Sequence, residues 1–246
     1  MIFFVTGGAR GIGEAIVLEA AKQGHDVALT YHTSVDRAQS VVRKAREIAP
    51  KGRFFAYPLD VRDSSAVEKV GDLVLDDLGT VHAVVANAGV NLNGLAVSMS
   101  DEDWKTVIDT NLTGSFYVCR QFLPAMMANR FGRIVLISSL GRGGVTGQAS
   151  YAASKAGLLG LSSTLAKEYG RKGITSNVVV PGFFDTDMTR EGMSDANKEF
   201  WLRYCPLGRM GELSEIAKVV MFLASDAATY VNGESISVTG GLDWAP

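Results

Sequence analysis

Tyr151 and Lys155 stand four residues apart in the run Tyr151-Ala152-Ala153-Ser154-Lys155, inside a stretch whose pattern predicts a helix over 150–169. That spacing puts both side chains on one helix face, near enough to interact. A neighbouring ammonium favours phenolate, so it should pull the tyrosine pKa down from about 10 toward neutrality. A tyrosine tuned in this way is a general acid for an alkoxide forming at a ketone carbon. Taken alone, such a pair is usually an ordinary surface contact on a helix. Its weight comes from the residues around it. Ser138 and Ser139 close the β-like run 133–137. Ligands of open α/β sheets bind at the carboxyl ends of strands, and a serine there can hydrogen-bond a carbonyl and polarise it.

A second group of residues suits a phosphate. Thr6-Gly7-Gly8-Ala9-Arg10-Gly11-Ile12-Gly13 follows the first β-rich run and leads into helical spacing. Glycines let the backbone turn tightly and approach a pyrophosphate, which then sits at the helix N-terminus. The spacing is neither GxGxxG nor a GxxxxGK loop followed by Ser or Thr. Its place between a strand and a helix favours dinucleotide binding over an ordinary tight turn. The second strand ends Thr30-Tyr31-His32-Thr33-Ser34 without a carboxylate, since Asp26 precedes it and Asp36 lies beyond it. An acid there would bind the ribose hydroxyl of NAD and repel a 2′-phosphate. Its absence, with the guanidinium of Arg10 close by, points to NADP, with His32 and Thr33 at the phosphate end.

These groups need a scaffold that collects strand ends. Strands are expected at 2–5, 27–31, 54–57, 81–86, 133–137, 174–180 and 235–238. Helices are expected at 13–23, 36–49, 64–78, 101–128, 150–169, 197–203 and 212–224. Such alternation implies a parallel sheet covered on both faces, an α/β doubly wound fold. No linker or repeat interrupts it, so residues 1–246 are read as one domain.

Composition closes off other classes. The 246 residues are 47% hydrophobic and 20% charged, with a net charge of −2 and no basic stripe for nucleic acid. No cationic segment followed by an apolar run opens the chain, and no stretch of about 18 uncharged apolar residues occurs. Neither a signal peptide nor a membrane span is expected, and the protein reads as cytoplasmic. Cys119 and Cys205 fit no CxxC pattern, and His25, His32 and His82 have no metal-ligand spacing, so no metal site is expected.

The glycine loop resembles the TGxxxGxG signature of the short-chain dehydrogenase/reductase family, and later motifs extend the resemblance over the whole chain in the family's order. It implies a Rossmann-type domain with a lid at about 183–210. Asp60 and Val61 would contact adenine, and Asn87-Ala88-Gly89 would lie beside the cofactor's adenosine side and the central sheet. Pro181, Gly182, Phe184 and Thr186 would hold the nicotinamide carboxamide. Lys155 would also hold the ribose, and Asn111 would be the fourth catalytic residue, anchoring a water that relays protons through Lys155. The family's serine usually precedes the tyrosine by thirteen positions, which selects Ser138, whereas matching the strand Gly132-Arg133-Ile134 selects Ser139. Strand register is more constrained than loop length, so Ser139 is preferred.

A narrower resemblance, in MMANRFGRIVLISS, GQASYAASKAG and GITSNVVVPGFFDTDMT, is to 3-oxoacyl-acyl-carrier-protein reductases. It implies NADPH-dependent reduction of a carrier-bound 3-oxoacyl thioester in fatty acid, polyketide or aryl-polyene-type synthesis. It also implies a homotetramer and an acyl carrier protein docked beside the active site by Arg130 and Lys172, with Arg171 adjacent. The plainer reading of those cations is solvated helix ends. Met188, Met193, Phe200 and Trp201 would line an acyl groove or pack the lid. The Gly141-Arg142-Gly143-Gly144 loop departs from the subfamily's usual sequence. The competing functions are a dehydrogenase for a free alcohol, ketone, sugar or acyl-CoA, and a non-catalytic NADP-binding protein. The latter predicts loss of Tyr, Lys, Ser or Asn, and all four are present.

Overall fold

In a computed structural model, the structure describes residues 1–187, 189 and 195–242. The short apolar runs form β1 (Ile2–Val5), β2 (Asp26–Tyr31), β3 (Phe54–Pro58), β4 (Ala83–Ala86), β5 (Gly132–Ile137), β6 (Ile174–Pro181) and β7 (Ser235–Val238). All pair in parallel in the order β3-β2-β1-β4-β5-β6-β7. A parallel sheet is buried on both faces, which is why IFFV and AVVA are continuously apolar rather than alternating.

The helices are α1 (Gly11–Lys22), α2 (Val35–Ile48), α3 (Ser64–Leu78), α4 (Asp101–Ile108), α5 (Gly114–Asn129), α6 (Ala149–Tyr169), α7 (Asp195–Tyr204) and α8 (Leu213–Ala224). Alternate residues of β1 feed two cores. Phe3 and Val5 pack with Ile16 of α1, Val41 of α2 and Val220 of α8. Ile2 and Phe4 pack on the other face with Val74 of α3, Phe122 of α5 and Leu158 of α6. The strand order reverses between β1 and β4, which opens a crevice at the carboxyl ends of the strands.

Most element bounds fall within two residues of those expected. The clearest departure is the helix expected at 101–128. It is interrupted by a π-helical segment, Asp109–Thr113, between α4 and α5. A π turn misaligns the carbonyl ladder, and hydroxyls take up the displaced groups. Thr110 Oγ1 donates to the Thr106 carbonyl at 2.7 Å, and Ser115 Oγ to that of Asn111 at 2.7 Å. A three-residue-wide apolar stripe looks the same on either side of such a bulge, so periodicity alone did not reveal it. Among the described residues no helix is long and apolar enough to cross a membrane, and no cluster of metal-ligating side chains occurs. Cys119 and Cys205 are buried and unpaired with each other.

Candidate active site

A cleft of about 510 Å³ runs along the carboxyl ends of the strands. Of the cofactor residues expected from sequence, all but Gly8 and Gly13 line it. Those two act through packing instead. A Cβ on Gly8 would come within 2.7 Å of Leu29 Cβ, and one on Gly13 within 2.2 Å of the Gly7 carbonyl. They let the loop lie against β2 and α1 start close on the Gly7 carbonyl, which aims its N-terminus into the cleft. Gly7 has φ +63 and Gly11 φ +55, conformations that side chains resist.

Asn87 ties this loop to β4. Its amide donates to the carbonyls of Thr6 at 3.0 Å and Gly7 at 3.1 Å, while Thr6 Oγ1 accepts from the backbone N–H groups of Asn87 and Ala88, both at 3.0 Å. The N-cap residue of α1, Arg10, makes no side-chain cap, so the helix N-terminus faces the cleft with backbone donors for a pyrophosphate. The uncapped helix, the two left-handed glycines and the cleft together fit a nicotinamide dinucleotide.

At the adenosine end, Asp60 is gripped by Arg62, whose Nη2 lies 2.6 Å from Oδ2 and Nε 3.0 Å from each oxygen. That guanidinium holds the Asp60 pKa below the usual carboxylate range. His32 Nε2 lies 3.7 Å from Asp60 Oδ2. Arg62 was not singled out from sequence, although it follows Asp60 by only two positions. Nor was Arg37 of α2, which meets Asp187 in company with Arg10; only folding brings those residues together.

The two serines separate cleanly. Ser138 Oγ donates to the Lys155 carbonyl at 2.8 Å and is 3% exposed. Ser139 Oγ accepts from Gly141 N at 3.1 Å and stands beside the Tyr151 side chain. With its oxygen engaged by Gly141, the Ser139 hydroxyl can direct its proton toward Tyr151.

Lys155 is buried, donates from Nζ to the Ile137 carbonyl at 2.8 Å, and lies 5.7 Å from the centroid of the Tyr151 ring. Burial pushes its pKa down to about 8. The expected lowering of the Tyr151 pKa is not found. Burial raises it above the ordinary value, and the Ser139 hydrogen bond only offsets this in part. Desolvation of the phenolate outweighs an ammonium that is itself desolvated and committed to a carbonyl.

Asn111 does not line the cleft. It is fully buried in the π segment, where Oδ1 accepts from Val90 N at 2.8 Å. Its Nδ2 donates to the Val90 carbonyl and to Ser154 Oγ, each at 3.0 Å. A Cβ on Gly89 would stand 3.2 Å from Asn111 Oδ1 and 3.3 Å from Lys155 Nζ. The bare glycine therefore spares those two polar groups a crowding contact.

Arg130 and Lys172, expected beside the active site, lie elsewhere on this chain. Arg130 caps α5 in the left-handed conformation (φ 51), and its Nη2 reaches the Arg171 carbonyl at 3.4 Å. Both sit where β5 and β6 begin, whereas Ser139 follows the end of β5. Six residues at about 3.3 Å each put roughly 20 Å between them. Of the lid residues, Met188 and Met193 lie outside the described residues, as does the side chain of Phe200; Trp201 stacks on Phe183, with centroids 6.2 Å apart.

A seven-stranded parallel sheet, an open helix N-terminus at its switch point and a Ser–Tyr–Lys group beside it define a dinucleotide-dependent oxidoreductase. Comparison with known proteins agrees. The family described as Enoyl-(Acyl carrier protein) reductase matches residues 7–243. The 3-oxoacyl-(acyl-carrier-protein) reductase FabG of Staphylococcus epidermidis is 42% identical over 240 residues, 97% of each chain. Its namesake from Escherichia coli is 43% identical over 242 residues, covering 98% of this chain and 96% of that one. The crystal structure of levodione reductase superimposes with a TM-score of 0.94 at 30% identity, over 98% of this chain and 96% of that one. The chain belongs to the short-chain dehydrogenase/reductase family.

Proposed function

We propose that this protein reduces the 3-keto group of an acyl thioester carried on an acyl carrier protein, using NADPH. The observation that carries the reading is the Ser139–Tyr151 hydroxyl pair backed by buried Lys155, in a chain 42% identical to a 3-oxoacyl carrier-protein reductase along 97% of its length.

The glycine loop and the N-terminus of α1 would hold the pyrophosphate, Asp60 and Val61 the adenine, and Arg10, His32 and Thr33 the 2′-phosphate end. Asn87-Ala88-Gly89 lie beside the adenosine side, and Pro181, Gly182, Phe184 and Thr186 hold the carboxamide. When bound, the cofactor supplies a hydride to the keto carbon. Ser139 and Tyr151 hold the keto oxygen, and Tyr151 Oη gives it a proton as charge develops there. A raised pKa keeps Tyr151 protonated at neutral pH, which suits the reductive direction. Lys155 steadies the ribose and returns a proton toward Tyr151. Asn111 supports the water of that relay.

Two hydroxyls aimed at one oxygen suit a ketone rather than the carbon–carbon double bond of an enoyl thioester. Arg130, Arg171 and Lys172 form the candidate carrier surface. Charge there would speed and orient encounter. Its distance from Tyr151 of the same chain means that an acyl group must travel or serve another subunit. Exposed apolar side chains on α4 and α5, Trp104 and Phe116, support self-association into the expected homotetramer. Two buried thiols without a disulfide suit the cytoplasm.

The deciding experiment follows cofactor oxidation by the full chain with acetoacetyl carrier protein, acetoacetyl-CoA, a crotonyl thioester, and free ketones and sugars, each with NADPH and NADH. The proposal expects the 3-oxoacyl thioesters to turn over fastest, with NADPH. No turnover of any 3-oxoacyl thioester, with activity on a free ketone or sugar, establishes the alternative dehydrogenase.

A further inference from the structure

Arg10 precedes the first residue of α1, and Arg37 lies in the first turn of α2. Both guanidinium groups reach the same carboxylate oxygen, Oδ2 of Asp187: Arg10 Nη1 at 3.7 Å and Arg37 Nη1 in direct contact. Arg37 and Asp187 are 150 residues apart in sequence. Asp187 and Arg10 line both the main cleft and a neighbouring one of about 330 Å³, so this contact lies at the junction of the two. Thr33 and Ser34, at the end of β2, line the main cleft near the same junction. Both arginine side chains are 56% exposed, which leaves them reachable by a ligand from solvent.

We propose that Asp187 is an internal stand-in for the cofactor's 2′-phosphate, holding Arg10 and Arg37 together until that phosphate displaces it. The proposal rests on the NADPH reading above. It makes Arg37 a specificity-determining residue and Asp187 a built-in competitor. The charge argument is direct. A phosphate monoester carries nearly two charges at neutral pH and three strong acceptor oxygens, so it suits two guanidinium forks better than one carboxylate does. Asp187 gains least from the exchange: it loses two cations to a group that repels it, so the segment bearing it must give way.

That segment also carries Thr186, a candidate contact for the nicotinamide end. Thr186 packs beside Gly11, where an added Cβ would stand 3.6 Å from Thr186 Cγ2. Thr189 ties the segment together, donating from Oγ1 to the Phe184 carbonyl at 2.8 Å and accepting from Thr186 N at 2.8 Å. Displacement of Asp187 would thus be felt one residue away, at Thr186.

The test is equilibrium binding to the full chain of adenosine 2′,5′-bisphosphate against 5′-AMP, and of NADPH against NADH. Asp187→Asn should tighten the two 2′-phosphorylated ligands by about fivefold or more and leave the other two unchanged. Arg37→Ala should weaken the phosphorylated pair alone, by about tenfold. In the double variant the gain from Asp187→Asn should shrink, because the competitor then has less to hold. Hydrogen exchange over residues 184–189 should change with the bisphosphate and not with 5′-AMP. If wild-type protein discriminates but Asp187→Asn binds all four ligands as wild type does, or shifts all four equally, the stand-in role is overturned and the NADPH reading survives. If wild-type protein binds both ligand classes alike, the NADPH reading fails and this proposal with it.

Discussion

The hydroxyl of Ser138 donates to the carbonyl of Lys155 at 2.8 Å, which fastens the end of β5 to the first turns of α6. Its neighbour Ser139 is thereby turned the other way, toward Tyr151. Adjacent residues at a strand end point to opposite faces, so both serines border the cleft but only Ser139 is turned to Tyr151.

Replacing Ser139 by Ala should lower kcat by about 10²–10³-fold, as expected for loss of a donor to the developing oxyanion, with little change in melting temperature. Ser138→Ala should do the reverse. It loses one buried hydrogen bond, about 1 kcal/mol of stability, and keeps most of the turnover. Steady-state kinetics and thermal melts on both variants measure the split; equal catalytic losses would refute it.

The pH profile follows from Lys155. Its pKa is about 8 in the fold, so the group is charged below that pH and neutral above it. Proton delivery to the product alcohol needs protonated Tyr151 and Lys155. Reductive kcat/KM, which reports groups of the free enzyme, should therefore fall as pH rises through about 8. The oxidative direction should rise with pH over the same range.

Stability should respond with a definite sign. The folded pKa of Lys155 lies below its ordinary value of 10.5, so between about 8 and 10.5 the unfolded chain binds more protons. Stability then rises with pH across that window. Relative to Lys155→Met, the wild-type protein should gain up to about 3 kcal/mol between the two limits, measured by denaturant unfolding at each pH.

Asn111→Ala should be costly for two reasons. It strips partners from both part-buried backbone groups of Val90 and from the buried Ser154 Oγ. A loss of about 2–4 kcal/mol is expected. Activity should fall further than stability alone accounts for, because Val90 and Ser154 flank the cleft and Tyr151. Circular dichroism melts and kcat at a temperature where the variant is fully folded separate the effects.

Reversing charge at Arg130 and Lys172 should raise KM for a carrier-bound substrate by about tenfold and leave acetoacetyl-CoA unaffected, with the difference shrinking at high salt. Equal effects on both substrates would mean that these cations serve the fold instead.

Much of this molecule was written in local order. The strand and helix bounds, the phosphate-binding turn and the four-residue Tyr151–Lys155 spacing are all properties of neighbouring residues, and backbone geometry converts them directly into structure. Periodicity did not reveal the π segment, because a one-residue bulge barely disturbs an apolar stripe. Which serine faces Tyr151, the rise rather than fall of the Tyr151 pKa, the burial of Asn111 and the meeting of Arg10, Arg37 and Asp187 were decided by tertiary structure. Each depends on desolvation, or on contacts between residues tens to more than a hundred positions apart. A sequence names the groups able to react; only the packed chain sets the dielectric around them and the distances between them.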